Sequence, residues 1–285
     1  LTNDELLALS PGGGVRARRD LGTWPQPTVL WAPDGSYALA VYTQGPMSRI
    51  ERFDPTTLAF ETVFDGDVRL TGDGAASIGP DGRLALSWWD SDVGGAVTIG
   101  VVDADALVGT EPLTHAIGTI ETDGAASDFG ALSWSPTGDS VAFAGTGLVL
   151  TEGLAPAFSA VGLIEVPSGE VRELAVSEER YTGGHDGLVW SVDGAAVLAR
   201  WQPCLNCPGT AQNWDAVDVR SGELVGEIEV WAGTGVGWPR GTTLTLNGLE
   251  MLDSAGQTLG VLDAADARLL GVIHARSPEG DRVVT

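Results

Sequence analysis

The chain of 285 residues contains no lysine, three histidines, two cysteines and two methionines. All fifteen cationic side chains are arginine, set against 39 Asp and Glu, for a formal charge of −24. Nucleic acid attracts cationic surfaces, so this balance argues against DNA or RNA partners and against anionic membrane surfaces. It leaves room for a cationic or neutral partner or a metal ion. No apolar run approaches the ~18 residues that a membrane helix needs, so no membrane insertion is expected within this chain. The first residues, LTNDELLALS, carry no initiator Met and no basic-plus-apolar leader, which reads as a removed leader or a trimmed end. At 43% hydrophobic residues the chain is rich enough to fold around a core.

What is present is repetition. The words WAPDGSYALAVY (31–42), IGPDGRLALSWWD (78–90), WSPTGDSVAFAG (134–145) and WSVDGAAVLAR (190–200) each set a tight turn between two apolar runs. Aligned on the turn glycines Gly35, Gly82, Gly138, Gly194, Gly241 and Gly280, the steps are 47, 56, 56, 47 and 39 residues. The step from Gly280 round to Gly35 through the two ends is 40. Propeller blades repeat at about 40–50 residues, so six turns with a matching circular step describe a ring. Each repeat reads as four strands: a run before the turn, an alternating run after it, a third such as RIERFD or VTIGVVD, and a fourth such as LAFETVF or EVRELAV. Period-two alternation with Gly, Asp, Pro and Ser turns marks strands rather than helices.

The expected fold is therefore all-β, a six-bladed β-propeller with four antiparallel strands per blade in one domain, 1–285. The C-terminal repeat stops after two strands, and ELLALSPGGGVRARRD supplies the third and fourth. The two ends are expected to pair in one composite blade, which removes exposed sheet edges.

The words WAPDG, IGPDG, WSPTG and SPEG resemble the repeats of the TolB-type propellers, a WD40-like pattern that covers nearly all of the chain. That resemblance implies an extracytoplasmic protein that binds other proteins, or a propeller attached to a peptidase. The matching residues Pro33, Asp34, Gly35, Pro80, Asp81, Gly82, Pro136, Gly138, Asp193 and Gly194 are turn residues, not catalytic ones.

Catalytic motifs are missing. No Gly-x-Ser-x-Gly string occurs, which argues against a serine hydrolase. His115, His185 and His274 fall in different repeats without metal-ligand spacing. GTGVGWP (233–239) has glycine spacing but no helix start behind it, as a phosphate loop requires.

The loops joining the second to the third strand, and one repeat to the next, should gather on the face opposite the Pro-Asp-Gly turns. They carry the candidate ligand-binding residues Asp65, Trp88, Trp89, Asp90, Asp92, Asp123, Asp128, His185, Asp186, Trp201 and Trp214. Tryptophan anchors protein interfaces, although it also fills space between blades. His185 and Asp186 could serve as acid, base or ligand, or only bond the backbone. Clustered carboxylates offer calcium its preferred oxygens, but Asp90-Ser91-Asp92 is only a fragment of such a loop. No metal site is assigned and no cofactor is expected, calcium being the alternative left open. Cys204 and Cys207, alone in the loop WQPCLNCPG, read as a local disulfide, which implies an oxidising compartment; two free thiols are the other reading.

The function expected is a non-enzymatic, secreted or periplasmic propeller, with a membrane tether through a removed N-terminal segment one form of it. It would bind a protein or peptide on its acidic, Trp-bearing face. The alternative is a calcium-dependent, lactonase-like hydrolase with Asp65, Asp90, Asp123, Asp128 or Asp186 as ligands, by fold analogy alone.

Overall fold

The structure is a computed structural model. It describes residues 5–9, 15–22, 24–25, 27–72, 74–90, 95–104, 107, 115–122, 128–149, 159–177, 185–190, 194–201, 212–230, 236–237, 244–247, 250–252, 258–261, 275–276 and 283–284.

Every extended element among them is a β-strand. The chain runs through β1 (Glu5–Leu9), β2 (Val15–Asp20), β3 (Thr28–Trp31), β4 (Ala38–Gln44), β5 (Met47–Phe53) and β6 (Phe60–Gly66). It continues with β7 (Ala76–Ile78), β8 (Arg83–Asp90), β9 (Ala96–Asp103), β10 (Ala116–Thr122), β11 (Asp128–Trp134), β12 (Ser140–Thr146) and β13 (Leu148–Val149). Then come β14 (Ser159–Glu165), β15 (Val171–Ser177), β16 (His185–Trp190), β17 (Ala196–Trp201), β18 (Gln212–Asp218) and β19 (Leu224–Val230). The last are β20 (Val236–Gly237), β21 (Leu244–Asn247), β22 (Glu250–Leu252), β23 (Thr258–Val261), β24 (Ala275–Arg276) and β25 (Val283–Val284).

The described strands form six antiparallel sheets. Four are simple meanders: β3-β4-β5-β6, β11-β12-β14-β15, β16-β17-β18-β19 and β20-β21-β22-β23. One mixes the two ends of the chain in the order β2-β1-β25-β24, with Ala8 opposite Val284 and Ala275 opposite the same valine. The sixth has five strands, β13-β10-β9-β8-β7.

The repeated turns form because their glycine takes a left-handed conformation without a Cβ clash. Gly35, Gly82, Gly138 and Gly194 have φ of 69°, 84°, 75° and 71°. Three of them donate to the carbonyl three residues back: Gly35 to Ala32 at 2.9 Å, Gly82 to Gly79 at 3.0 Å and Gly138 to Ser135 at 3.0 Å. The aspartates pin the exit strand. Asp34 Oδ1 accepts from Ser36 N at 2.9 Å, and Asp81 Oδ1 from Arg83 N at 3.1 Å.

Contacts divide the chain into two compact units: Leu1–Gln44, Arg49–Asp65 and Gly233–Thr285 in one, Gly45–Ser48 and Gly66–Ala232 in the other. In the first, Leu21, Val29, Trp31, Ala38, Ala40, Tyr42, Phe53 and Leu58 pack together, with Phe53 stacked on Phe60 at 4.7 Å between centroids. In the second, β12 is buried at six consecutive positions, not at alternate ones as its sequence pattern suggests. The reason is that its sheet is covered on both faces. Val141 and Phe143 face one cluster with Phe129, Leu132 and Ile164, while Ala142 and Ala144 face another with Leu163, Leu188 and Trp190. Large meets small across strands: Phe143 lies opposite Gly162, where an added Cβ would sit 2.4 Å from its ring.

Two segments between the repeat strands also pair with strands. Leu70 bridges to Trp88, with Thr71 N bonding Ser87 O at 3.1 Å and Trp89 N bonding Arg69 O at 3.0 Å. Within 145–158, β13 joins the outer edge of β10, pairing Leu148 with Thr122 and Val149 with Glu121. Leu148 is fully buried there. An otherwise open edge strand thus finds a partner in the chain itself.

Candidate functional site

In the second unit, the first strands β7, β11 and β16 each run toward a repeated turn. Two identical bonds hold their turn ends level. Trp134 Nε1 donates to Ser77 O at 2.9 Å, and Trp190 Nε1 donates to Ser133 O at 2.9 Å. β11 lies against both β7 and β16. With the turn ends level, the opposite, loop-side ends of the three sheets fall on one side of this unit.

That side carries most of the residues singled out from the sequence, and the register fixes their places. Asp128 opens β11 opposite Thr146. His185 opens β16 opposite Trp201, which lies opposite Asn213, which in turn faces Glu229 across the next pair. Asp186 is the extra residue of a bulge between His185 and Gly187. Trp214 lies one row nearer the turns, opposite Arg200 and Ile228. In the five-stranded sheet, Asp90 pairs with Ala96, Ala96 with Glu121, and Glu121 with Val149. Several of these residues read as loop positions, yet His185, Asp128 and Trp201 are strand termini. The strands extend to the rim because pairing satisfies their backbone groups.

The two adjacent tryptophans separate. Trp88 is a core residue, only 4% exposed. Its indole covers Gly100, where an added Cβ would meet Trp88 Cη2 at 2.5 Å and Cζ3 at 2.8 Å. A side chain so enclosed presents no face to a ligand, so its place among the binding residues gives way to packing. Trp89 points the other way, as alternation along a strand requires, and is half-buried against the cluster that holds Val97 and Ile99. Asp90 is half-buried at the strand end.

Asp65 belongs to the first unit and has a different setting. Its Oδ2 accepts from Arg49 Nε at 3.0 Å and Nη2 at 2.5 Å. Arg49 also lies 4.0 Å from Glu51 Oε1, and Arg19 Nη2 lies 3.6 Å from the same oxygen. Glu51 is buried, its side chain 6% exposed, and needs this compensation. Tyr42 donates to its Oε2 at 3.2 Å and Thr62 to its Oε1 at 3.5 Å. Burial first, then the Glu51 charge, pushes the Tyr42 hydroxyl well above the usual tyrosine range. Arg49 lies over the Trp24 ring at 4.7 Å and Arg19 over the Phe60 ring at 4.2 Å. This cluster was missed in the sequence. Its only trace is RIERF, where Arg49 and Glu51 alternate onto one face of a strand.

The turn side offers bonded carboxylates rather than a site. Asp139 Oδ1 accepts from Thr137, Ser135 and Ser140 hydroxyls at 2.7, 2.9 and 3.0 Å. These bonds, Thr137's first, hold its carboxyl below the ordinary range.

Asp92, Asp123, Cys204 and Cys207 lie outside the described residues. Among the described residues no three His, Cys, Asp or Glu side chains converge in a metal-holding group. None of the described helical segments is long and apolar enough to cross a membrane.

Comparison with protein-family profiles finds no match, and neither does comparison with curated protein sequences. Solved structures match along almost the whole chain. A structure of putative TolB from Agrobacterium tumefaciens superposes with a TM-score of 0.55 at 17% identity, covering 98% of this chain and 96% of that one. The fold is a TolB-like β-propeller. The TolB-like fold is also similar to that of the Dos1 propeller, at TM-score 0.53 and 10% identity over 99% of this chain and 72% of that one. An oligogalacturonate lyase in complex with manganese matches at 0.53 and 14% identity, over 94% and 78% of the two chains. A putative TolB, the Dos1 propeller and a lyase thus share this propeller fold, and the fold by itself selects no chemistry.

Proposed function

We propose that the chain is a non-enzymatic, extracytoplasmic six-bladed propeller, a single domain closed through its composite sheet, that binds a protein or peptide on its loop-side rim. The observation that supports this reading most is the level alignment of β7, β11 and β16. Asp128, His185, Asp186, Trp201 and Trp214 lie at or next to the loop-side ends of β11, β16, β17 and β18. Carboxylates and tryptophans together suit a partner with basic and apolar groups: the charges steer the encounter and the indoles supply anchoring area. The TolB-like fold supports the extracytoplasmic placement, and a Cys204–Cys207 disulfide belongs to the same proposal.

The test is affinity capture from an extracytoplasmic protein fraction, using the wild-type chain and a variant carrying Asp128→Asn, Trp201→Ala and Trp214→Ala. Trp88 is left out because it packs in the core. A partner held by the wild type and released by the variant supports the proposal. A partner held equally by both would move the site elsewhere. Calcium in the purified protein, with turnover of a lactone that EDTA abolishes, would replace the binding reading with the hydrolase one. For the disulfide, alkylation of both cysteines only after reduction is expected; immediate alkylation would exclude it.

A further inference from the structure

The tryptophan bond that aligns the first strands has a rule. Trp134 and Trp190 each reach back 57 residues to a carbonyl in the preceding repeat. That carbonyl belongs to the residue just before the one holding the tryptophan's own place. For Trp134 the place is held by Ile78 and the acceptor is Ser77; for Trp190 the place is held by Trp134 and the acceptor is Ser133.

Trp31 holds the same place in its repeat, immediately before Ala32-Pro33-Asp34-Gly35. Its side chain is as enclosed as theirs, with 7% exposure against 6% for each of the other two. Yet Trp31 Nε1 finds no acceptor among the described residues. A buried N–H without a partner is unfavourable and calls for an explanation. Counted round the ring, the repeat before Trp31 is ARSPEG at the C-terminal end, where Arg276 holds the tryptophan's place. The rule then names the acceptor as the Ala275 carbonyl. Ala275 lies on β24, and β24 lies against β3, the strand that ends in Trp31.

We propose that Trp31 is the latch of the ring seam, its indole N–H donating to the Ala275 carbonyl when the two ends of the chain are drawn together. This rests on the closed-ring reading given above. The latch is poised in this structure: the donor is buried, the acceptor strand is alongside, and the bond is unmade. The seam is thereby the one described junction of this type whose tryptophan can be engaged or released. Among the described residues, the strands it would secure are β24 (Ala275–Arg276) and β25 (Val283–Val284), and β25 meets β1 at Ala8–Val284. A side-chain bond from Trp31 to β24 would add to the backbone pairing that holds the two ends together and so would oppose local opening there.

The experiment is indole N–H exchange on the full wild-type chain labelled with nitrogen-15, with assignments carried from the backbone so that no variant need fold. The Trp31 indole is expected to exchange within about tenfold of Trp134 and Trp190. It should also show a nuclear Overhauser contact to the Arg276 amide. A Trp31 indole exchanging about a hundredfold faster than the other two, or protected without that contact, would overturn the latch. A second arm separates latch from ring: Ala8→Cys with Val284→Cys, in a chain carrying Cys204→Ser and Cys207→Ser. If the new disulfide forms while the Trp31 indole exchanges fast, the ring stands and the latch is wrong. If the disulfide does not form under oxidation, the composite sheet fails, and ring and latch fall together.

Discussion

Replacing Gly100 by alanine tests whether Trp88 is a packing residue or a binding one. The new Cβ would lie 2.5 Å from Trp88 Cη2, 2.8 Å from Cζ3 and 3.0 Å from the His115 carbonyl oxygen. Carbon contacts are favourable near 3.5–4.0 Å, so the indole must move by about 1 Å. It cannot swing outward freely, since Trp88 is 4% exposed and Leu70 bridges to its backbone. The carbonyl is backbone and does not rotate aside. Overpacking of this kind costs about 1–3 kcal/mol. At roughly 2–4 °C per kcal/mol for a large domain, the melting temperature should fall by about 2–12 °C. Trp88→Leu alone should cost about 2–4 kcal/mol for the cavity it leaves. The double variant should be milder than the sum by about 1–2 kcal/mol, because the leucine vacates the space the new methyl needs. Urea unfolding monitored by circular dichroism measures all three. If Gly100→Ala changes stability by less than about 0.5 kcal/mol and the two substitutions add without coupling, the indole is not seated on Gly100. Trp88 would then return to the candidate rim.

Three other outcomes follow from the same geometry. The Asp139 carboxyl is held below its unfolded value of 3.8, so its stabilising effect is full above that pH and is lost as pH falls through the lower, folded value. Asp139→Asn should flatten the acid limb of a stability-against-pH curve below about pH 4, and an unchanged limb would show the three hydroxyl bonds absent in solution. Tyr42 runs the other way: the folded chain keeps a proton that the unfolded chain loses above the ordinary tyrosine value of 10.0, so stability falls as pH rises past that point. Tyr42→Phe should remove that part of the alkaline loss, and one fewer tyrosine should ionise only on unfolding in an ultraviolet titration. Leu58 takes φ of 52° where the matching turns use Gly169 and Gly222 at 70° and 71°. Leu58→Gly relieves about 1–2 kcal/mol of backbone strain but empties a buried site worth about 2–5 kcal/mol. A net loss on denaturation is expected, and a more stable variant would contradict the burial argument.

Much of the fold was legible because the local signals agree with one another. The repeated turn words WAPDG, IGPDG, WSPTG and WSVDG specify a left-handed glycine, and Gly35, Gly82, Gly138 and Gly194 adopt it. The third and fourth strands begin and end close to where alternation and turn residues set them, as RIERF in β5 and VRELAV in β15 show. What escaped notice depends on packing between sheets. Nothing in GTGLVLTEGLAPAF says that Leu148 and Val149 will pair with a strand of the preceding sheet, because edge pairing is read from backbone geometry and not from side-chain pattern. Trp88 and Trp89 look alike in sequence; only Gly100, twelve residues on, makes a socket for one of them. The Glu51 cluster was hidden for the same reason, as Arg19 and Glu51 meet only when two sheets do. On the candidate rim, residue types pointed to a surface, while the alignment that gathers them came from two indole N–H bonds.

The central claim is that the loop-side rim of this TolB-like propeller binds a protein. Its most direct measurement is cross-linking mass spectrometry of the purified chain with a captured partner, comparing wild type with the Asp128→Asn, Trp201→Ala, Trp214→Ala variant. Cross-links are expected to concentrate at the loop-side ends of β11, β16, β17 and β18, and to disappear in the variant. Cross-links confined to the turns around Asp81 and Asp139, unchanged by the variant, would contradict it.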